Sequence, residues 1–285
     1  MLFRSQISNT DLVQISEANG RVGSVSLVGA GPGAADLLTI RAVKALEHAD
    51  AVYYDSLVDD SVLAFVNPKA RQIFVGKRKG FSAMPQQVIQ DKMRDDALAG
   101  NQVVRLKGGD PFIFGRGGEE LSDLRSQGIL VKVIPGITAA IAAAAEHGMP
   151  LTHRDVATSV TFVTGHTLDG TIPELDGLVS SKRTLVIYMG VSNAGKIVDQ
   201  LRGGGVSEST PVAVIERATL PDQRLIHTTL AALVADIDLH DVVTPALLVV
   251  GNVAALSLPD VDTLPPVHTI PEPSAPFAWV HHAMG

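Results

Sequence analysis

Apolar positions in the first half of the chain fall into short β-branched runs separated by stretches of helical spacing. Residues 24–28 (SVSLV), 51–54 (AVYY), 72–75 (QIFV) and 103–106 (VVRL) read as strands, each running into Gly, Asp or another turn former. Between them, Leu37, Leu38, Ile40, Val43, Ala45 and Leu46 recur at helical spacing up to Ala49. Residues 86–98 form a helix with Pro85 in its first turn and Gly100 as its stop, and 119–127 a helix closed by Gly128. A strand at 130–134 leads to PGITAAIAAAAEHG (135–148), a further strand–loop–helix unit whose alanines permit close backbone packing. Strands alternating with helices predict an α/β domain with a parallel sheet.

MPLTHRD at 149–155 breaks this rhythm. Beyond it, strands are expected at 159–164, 184–189, 211–215, 224–228 and 246–250. Helices are expected at 193–201, capped by Ser192 and stopped by the glycines at 203–205, and at 230–236. The organisation expected is a flexible arm over 1–22, an N-terminal α/β domain over 23–150, a C-terminal α/β domain over 151–256, and a proline-rich extended tail over 257–285.

With 285 residues, 46% apolar and 19% charged, the chain can bury two ordinary cores and has a soluble globular composition. A net charge of −7 and a pI of about 5.7 argue against nucleic acid or an acidic membrane surface as partner. Any anionic substrate must therefore be gripped by local arginines. The absence of cysteine removes disulfides, thiolate nucleophiles and cysteine metal sites, and fits a cytoplasmic enzyme. MLFRSQISNTDLVQ lacks the apolar core of a signal peptide, and no apolar run is long enough to span a bilayer. His281 and His282 are read as an adventitious tail pair, and no zinc-type spacing occurs, so no metal is expected.

Candidate chemistry gathers where strands end. GAGPGAAD (29–36) follows the first strand and Asp55 ends the second, which fits a dinucleotide-binding fingerprint and keeps a nicotinamide-dependent oxidoreductase as an alternative. Pro32, however, removes a backbone donor where a pyrophosphate would want one. GKRKG (76–80) is either a solvated basic loop or an anion contact. In VVRLKGGDPFIFGRGGEE (103–120) a buried strand runs into bare backbone, with Asp110 as an acceptor, Arg116 as a fork of donors, and Glu119 and Glu120 at a helix start. This is the build of a ligand-binding loop. The alternative is a sharp Gly-Pro turn carrying a solvated Arg116–Glu119 pair.

VGAGPG, YDSLV, VGKRKG, RLKGGDPFIFGRGGEE, PGITAA and GMPLTHRD occur in this order and together resemble the uroporphyrinogen-III C-methyltransferases of the tetrapyrrole methyltransferase family. The resemblance covers about 23–256 and implies two unlike α/β domains with S-adenosylmethionine folded into the cleft between them, in a homodimer. The implied reaction is two methyl transfers to uroporphyrinogen III, a small-molecule tetrapyrrole, giving precorrin-2 for siroheme, cobalamin or haem d1. The short arm before Val25 leads to the expectation of the methyltransferase alone rather than a fused siroheme synthase.

By the same resemblance Pro32, Gly108, Gly109, Asp110, Ile113, Thr138, Ala139, Met189, Ala218 and Ala246 bind the cofactor. Asp55 corresponds to the family's proton acceptor and Lys77 to its donor, and Arg116, Glu119 and Arg154 to the substrate-binding set. Several assignments agree with the residue chemistry: glycines let backbone approach a ligand, Thr138 sits at a helix start with its hydroxyl expected free, and arginines grip carboxylates. For Ile113 and Met189 core packing is an equal reading. Asp55 is either a base or an acceptor that orients a pyrrole N–H, and Lys77 either an acid or a counter-charge to carboxylates. His153 is read as a loop-fixing hydrogen-bonder. Ser56 departs from relatives that carry arginine there, which removes one expected carboxylate contact.

Overall fold

The computed structural model describes residues 23–76, 84–167 and 170–256. The expected arm, the expected tail and Lys77 lie outside the described residues.

The first sheet holds five parallel strands in the order β3-β2-β4-β1-β5: β1 (Ser24–Gly29), β2 (Ala51–Tyr54), β3 (Arg71–Phe74), β4 (Gln102–Lys107) and β5 (Val131–Ile134). Alternate residues serve its two faces, as the pleat requires. Val28, Val52, Val104 and Leu106 pack with Ala42 and Leu46 of α1 (Ile40–Glu47) and Val62 of α2 (Asp60–Leu63). On the other face Val25, Leu27, Tyr53 and Val103 pack with Ile89 and Met93 of α3 (Gln86–Leu98) and Leu124 of α4 (Gly117–Ser126). Helices on both faces explain why the strands read as continuous apolar runs. The single turn of α2 has no counterpart in the apolar pattern, because Asp59 caps Ser61 and only Val62 is buried.

The strand order decides between the two sequence readings of the first loop. In a dinucleotide-binding sheet the first two strands are neighbours. Here β4 lies between β1 and β2, so Asp55, just past β2, pairs with Arg105 of β4 and stands away from the glycine loop that follows β1.

The second sheet is mixed, in the order β6-β7-β10-β8-β9: β6 (Ser159–Thr164), β7 (Arg183–Tyr188), β8 (Pro211–Glu216), β9 (Arg224–Thr229) and β10 (Ala246–Val250). Only β6 and β7 run parallel. One face, with Leu185, Ile187, Val212, Val214 and Leu248, is covered by two helices that follow α5 (Ala139–Glu146): α6 (Ala194–Gly203) and α7 (Leu233–Leu239). The opposite face, with Val186, Ala213, Ile215 and Val249, receives Ala140 and Ala143 of α5 together with Met149. Thus the helix that leaves the first sheet completes the core of the second, and its alanines set a close approach.

Two helices of the second half start later than expected. Residues 191–193 form a 3-10 turn, so α6 begins at Ala194 with no cap bond from a side chain, and Asn193 Nδ2 instead donates to Gly165 O at 2.7 Å. Ser192 is therefore not the cap. Leu230 N and Ala231 N donate to Thr210 O and Glu208 O, which holds 230–232 as a turn and moves α7 to Leu233–Leu239. Among the described residues no helix is long and apolar enough to cross a membrane.

Candidate active site

Three glycines bring the carboxyl ends of β1, β4 and β5 into backbone contact. A Cβ on Gly136 would lie 2.3 Å from Gly109 O, and one on Gly29 would lie 2.5 Å from Gly136 N. Gly31 N donates to Gly109 O at 3.2 Å, and Gly109 N to Gly31 O at 2.6 Å. Asp110 stitches the same region together: Oδ1 accepts from Phe112 N at 2.8 Å and Oδ2 from Gly136 N at 3.0 Å. A carboxylate offers about four acceptor sites, so two bonds leave room for a ligand donor. Gly109 takes a φ of 67°, and a methyl group there would reach Thr138 Cα and Ala139 N at 3.8 and 3.9 Å. That residue thus faces the start of α5 across a gap that a single carbon would fill.

The far wall comes from the second sheet. Tyr188, at the end of β7, accepts from Ala140 N at 3.1 Å, and its hydroxyl lies 2.6 Å from Thr138 Oγ1. The Thr138 hydroxyl is therefore not free, as the sequence reading expected, but engaged across the cleft. Burial raises the Tyr188 phenol above its ordinary pKa, with the Thr138 and Ala140 bonds acting in the opposite sense. Phe114 lies tilted against Tyr188 with ring centroids 5.0 Å apart, and Met189 follows, half-exposed. Ala218 and Ala246 are buried near the ends of β8 and β10. Beside them Thr219 Oγ1 accepts from Ala34 N at 3.0 Å, and a Cβ on Gly33 would meet Leu220 at 2.8 Å. The glycine loop after β1, which carries half-buried Pro32, is thereby docked on the second domain.

Sequence reasoning missed an ionic cluster next to this wall. Arg105 and Lys107 point to the same face of β4 as Val103, where a core would continue, and meet Glu120 from the first turn of α4. Arg105 Nε reaches Glu120 Oε1 at 3.2 Å, Lys107 Nζ reaches Oε2 at 3.1 Å, and Gln86 Nε2 donates to Oε1 at 2.8 Å. The Lys107–Oε2 approach is an ion-pair contact outside hydrogen-bond alignment. Burial, then the neighbouring Arg105 charge, lowers the Lys107 pKa, and Glu120 opposes both. Asp55 joins through Arg105 Nη2 at 3.2 Å and takes Leu57 N on its other oxygen at 3.1 Å. Leu57 Cβ would stand 2.6 Å from a Cβ on Gly108, so the Asp55 loop rests on the glycine loop of β4. The signal was legible: two cations on the buried face of a central strand require a buried anion.

Arg116 and Glu119 form the i,i+3 pair, with Nη2 to Oε2 at 2.6 Å, and both remain about half exposed to solvent. Ile113 is half-buried in the same loop. Arg154 is exposed on the turn closed by His153 and Ala157, where His153 Nδ1 accepts from Asp155 N, and no contact among the described residues joins it to Arg116. Five non-glycine residues with positive φ sit in loops around the cleft: Phe114, Arg116, Met189, Arg217 and Thr219. Backbone held this way costs energy, and such residues concentrate at functional sites.

Residues 24–234 match the family of tetrapyrrole (corrin/porphyrin) methylases. The chain belongs to that family. Among relatives of this chain, a siroheme synthase from Chromobacterium violaceum is 49% identical over 239 residues, covering 83% of the chain and 51% of the relative. Siroheme synthase 3 from Aeromonas hydrophila is 52% identical over 237 residues, covering 82% and 50%. The chain thus spans about half the length of these curated relatives. A uroporphyrin III C-methyltransferase from Thermus thermophilus is similar in structure with a TM-score of 0.71 and 38% identity, covering 82% of this chain and 94% of that one; the same protein has been solved with S-adenosyl homocysteine. A cobalt precorrin-4 methyltransferase gives a TM-score of 0.73 at 29% identity, covering 81% and 95%. These methylases share the two-domain α/β build.

Proposed function

We propose that this chain methylates uroporphyrinogen III at carbon twice, using S-adenosylmethionine and yielding precorrin-2 for siroheme, cobalamin or haem d1. The observation that carries the reading is the meeting of the Gly109 backbone with Thr138 and Ala139 at family-matched positions. Gly109 puts no side chain between strand end and helix start, and apolar Met189 and Ala218 with the acceptor Asp110 give a lining whose chemistry suits an adenosine and a sulfonium. Bound there, S-adenosylmethionine would supply an electrophilic methyl group. Pro32, Gly108, Ile113 and Ala246 complete the pocket assigned to it.

The remaining residues handle an octa-carboxylate macrocycle. Arg116 and Arg154 are assigned to its carboxylates and Glu119 to its N–H groups, as forks and acceptors of matching geometry. Asp55 accepts a pyrrole N–H or the proton released after methylation, and Lys77 stands in the partner role. Positioning supplies most of the rate in such an in-line transfer, because the electron-rich ring is already nucleophilic. The same reading makes the protein a cytoplasmic homodimer whose domains divide near residue 150.

Anaerobic incubation with uroporphyrinogen III and S-adenosylmethionine, followed by mass spectrometry, is expected to show two added methyl groups. An unmodified macrocycle would sink the proposal. Calorimetry is expected to show binding of S-adenosylhomocysteine and none of NAD or NADP.

A further inference from the structure

The side chain of Arg105 is anchored on four sides. Nε donates to Glu120 Oε1, Nη1 to Leu106 O at 3.0 Å and to Tyr53 O at 3.3 Å, and Nη2 to Asp55 Oδ2. Three of these acceptors lie inside the domain, Glu120 with a side chain fully buried, whereas Asp55 keeps 24% of its side chain exposed at the cleft. The guanidinium is therefore a fixed donor facing a carboxylate on a loop. Leu57 N holds the other carboxylate oxygen at 3.1 Å, so both oxygens are clamped and the plane of the group is set.

A buried ion group of this kind is poorly explained by stability, since well-packed apolar residues of the same volume often serve as well or better. Its charges are nonetheless balanced with care. Glu120, held by Gln86 and Lys107 as well as Arg105, offsets the cations, and Asp55 brings the second negative charge. The arrangement continues one face of β4 and β2 outward, from the apolar Val103 and Ala51 to charge at the carboxyl ends where ligands of open α/β sheets bind.

We propose that Arg105 is a positioning residue that fixes the carboxylate of Asp55 at the cleft, with Glu120 and Lys107 as its buried counter-charges. The role rests on the reading of the cleft as the tetrapyrrole methylation site. Arg105 does not meet the substrate. It removes the freedom of a carboxylate that does, and lysine, which has no planar fork, cannot replace it.

The test is a double-mutant cycle of Arg105→Lys and Asp55→Asn. Arg105→Lys is expected to lower kcat on uroporphyrinogen III by roughly tenfold to a hundredfold, the scale of a misplacement of about 1 Å, with the affinity for S-adenosylhomocysteine changed less than about twofold. Added to Asp55→Asn, it is expected to cost nothing more, because the group it positions is already lost. Multiplicative losses, or parallel loss of turnover and S-adenosylhomocysteine binding, would overturn the role. A crystal structure of Arg105→Lys supplies an arm independent of turnover: Asp55 displaced supports the clamp, and Asp55 unmoved overturns it. Wild-type protein that leaves the macrocycle unmethylated would refute the proposed function, while this crystallographic arm still decides the clamp. Where Arg105→Lys does not fold, Arg105→Gln with Glu120→Gln removes opposite buried charges together and is read the same way.

Discussion

The hydroxyl of Tyr188 on the second sheet lies 2.6 Å from that of Thr138 on the loop leaving the first. This contact and the bond from Ala140 N tie the start of α5 to β7 through one phenol. Tyr188→Phe leaves a buried hydroxyl and a helix-start N–H short of a partner. Its expected cost is about 1–3 kcal/mol in denaturant unfolding, with weaker S-adenosylhomocysteine binding by calorimetry. Unchanged binding would separate this bond from the pocket.

Tyr53 gives a pH dependence of defined sign. Burial first, then the bond to Asp96 Oδ2 at 2.6 Å and the Asp96 charge, raises its phenol well above the ordinary value of 10.0. The folded state therefore keeps a proton that the unfolded chain loses, so this contribution is intact below pH 10.0 and declines as pH rises beyond it. Unfolding free energies of wild type and Tyr53→Phe, measured on both sides of pH 10.0, are expected to differ by a gap that narrows in alkali. A gap that is constant with pH would refute the assignment.

Gly136→Ala and Gly118→Ala are expected to part company. At Gly136 a Cβ would lie 2.3 Å from Gly109 O and 2.8 Å from Gly29 Cα, both backbone, so neither neighbour can yield without moving a strand end. Overpacking of this kind costs about 1–3 kcal/mol or more, and S-adenosylhomocysteine binding is expected to fall with it. Gly118, exposed in α4, meets nothing within 4 Å. Alanine there is expected to gain about 0.5–1 kcal/mol. Thermal melts and calorimetry on the two variants check both.

Arg116 holds a left-handed backbone at φ 59°. Glycine adopts that conformation freely, whereas another residue pays about 1–2 kcal/mol, and the exposed pair with Glu119 returns only about 0–1 kcal/mol. Arg116→Gly is therefore expected to keep or slightly raise stability while weakening tetrapyrrole binding, measured by fluorescence titration. A stability loss equal to the binding loss would make the residue structural.

Most of the fold was legible because the strands are short β-branched runs between strong punctuation. Residues 86–98, 159–164 and 246–250 have the bounds their patterns predict. What escaped were contacts between distant segments. The sheet order that separates Asp55 from the glycine loop depends on β4 inserting between β1 and β2, and no local pattern encodes that. Tyr188 read as a strand end because its partners, Thr138 and Ala140, lie about fifty residues earlier. Arg105, Lys107 and Glu120 stood in plain view within one motif. Their meaning depended on Glu120 and Leu124 sharing one face of α4, with Leu124 in the apolar core and Glu120 against the two cations.

The bond from Ala34 N to Thr219 carries a mechanical consequence. It fastens the domains at the loop after β1, and the Thr138–Tyr188 contact fastens them again at the loop after β5. Two fasteners in different loops resist rotation about either one, so the slot between them has a set width. Under the proposed function, a slot of set width would sort ligands by thickness before any charge is felt.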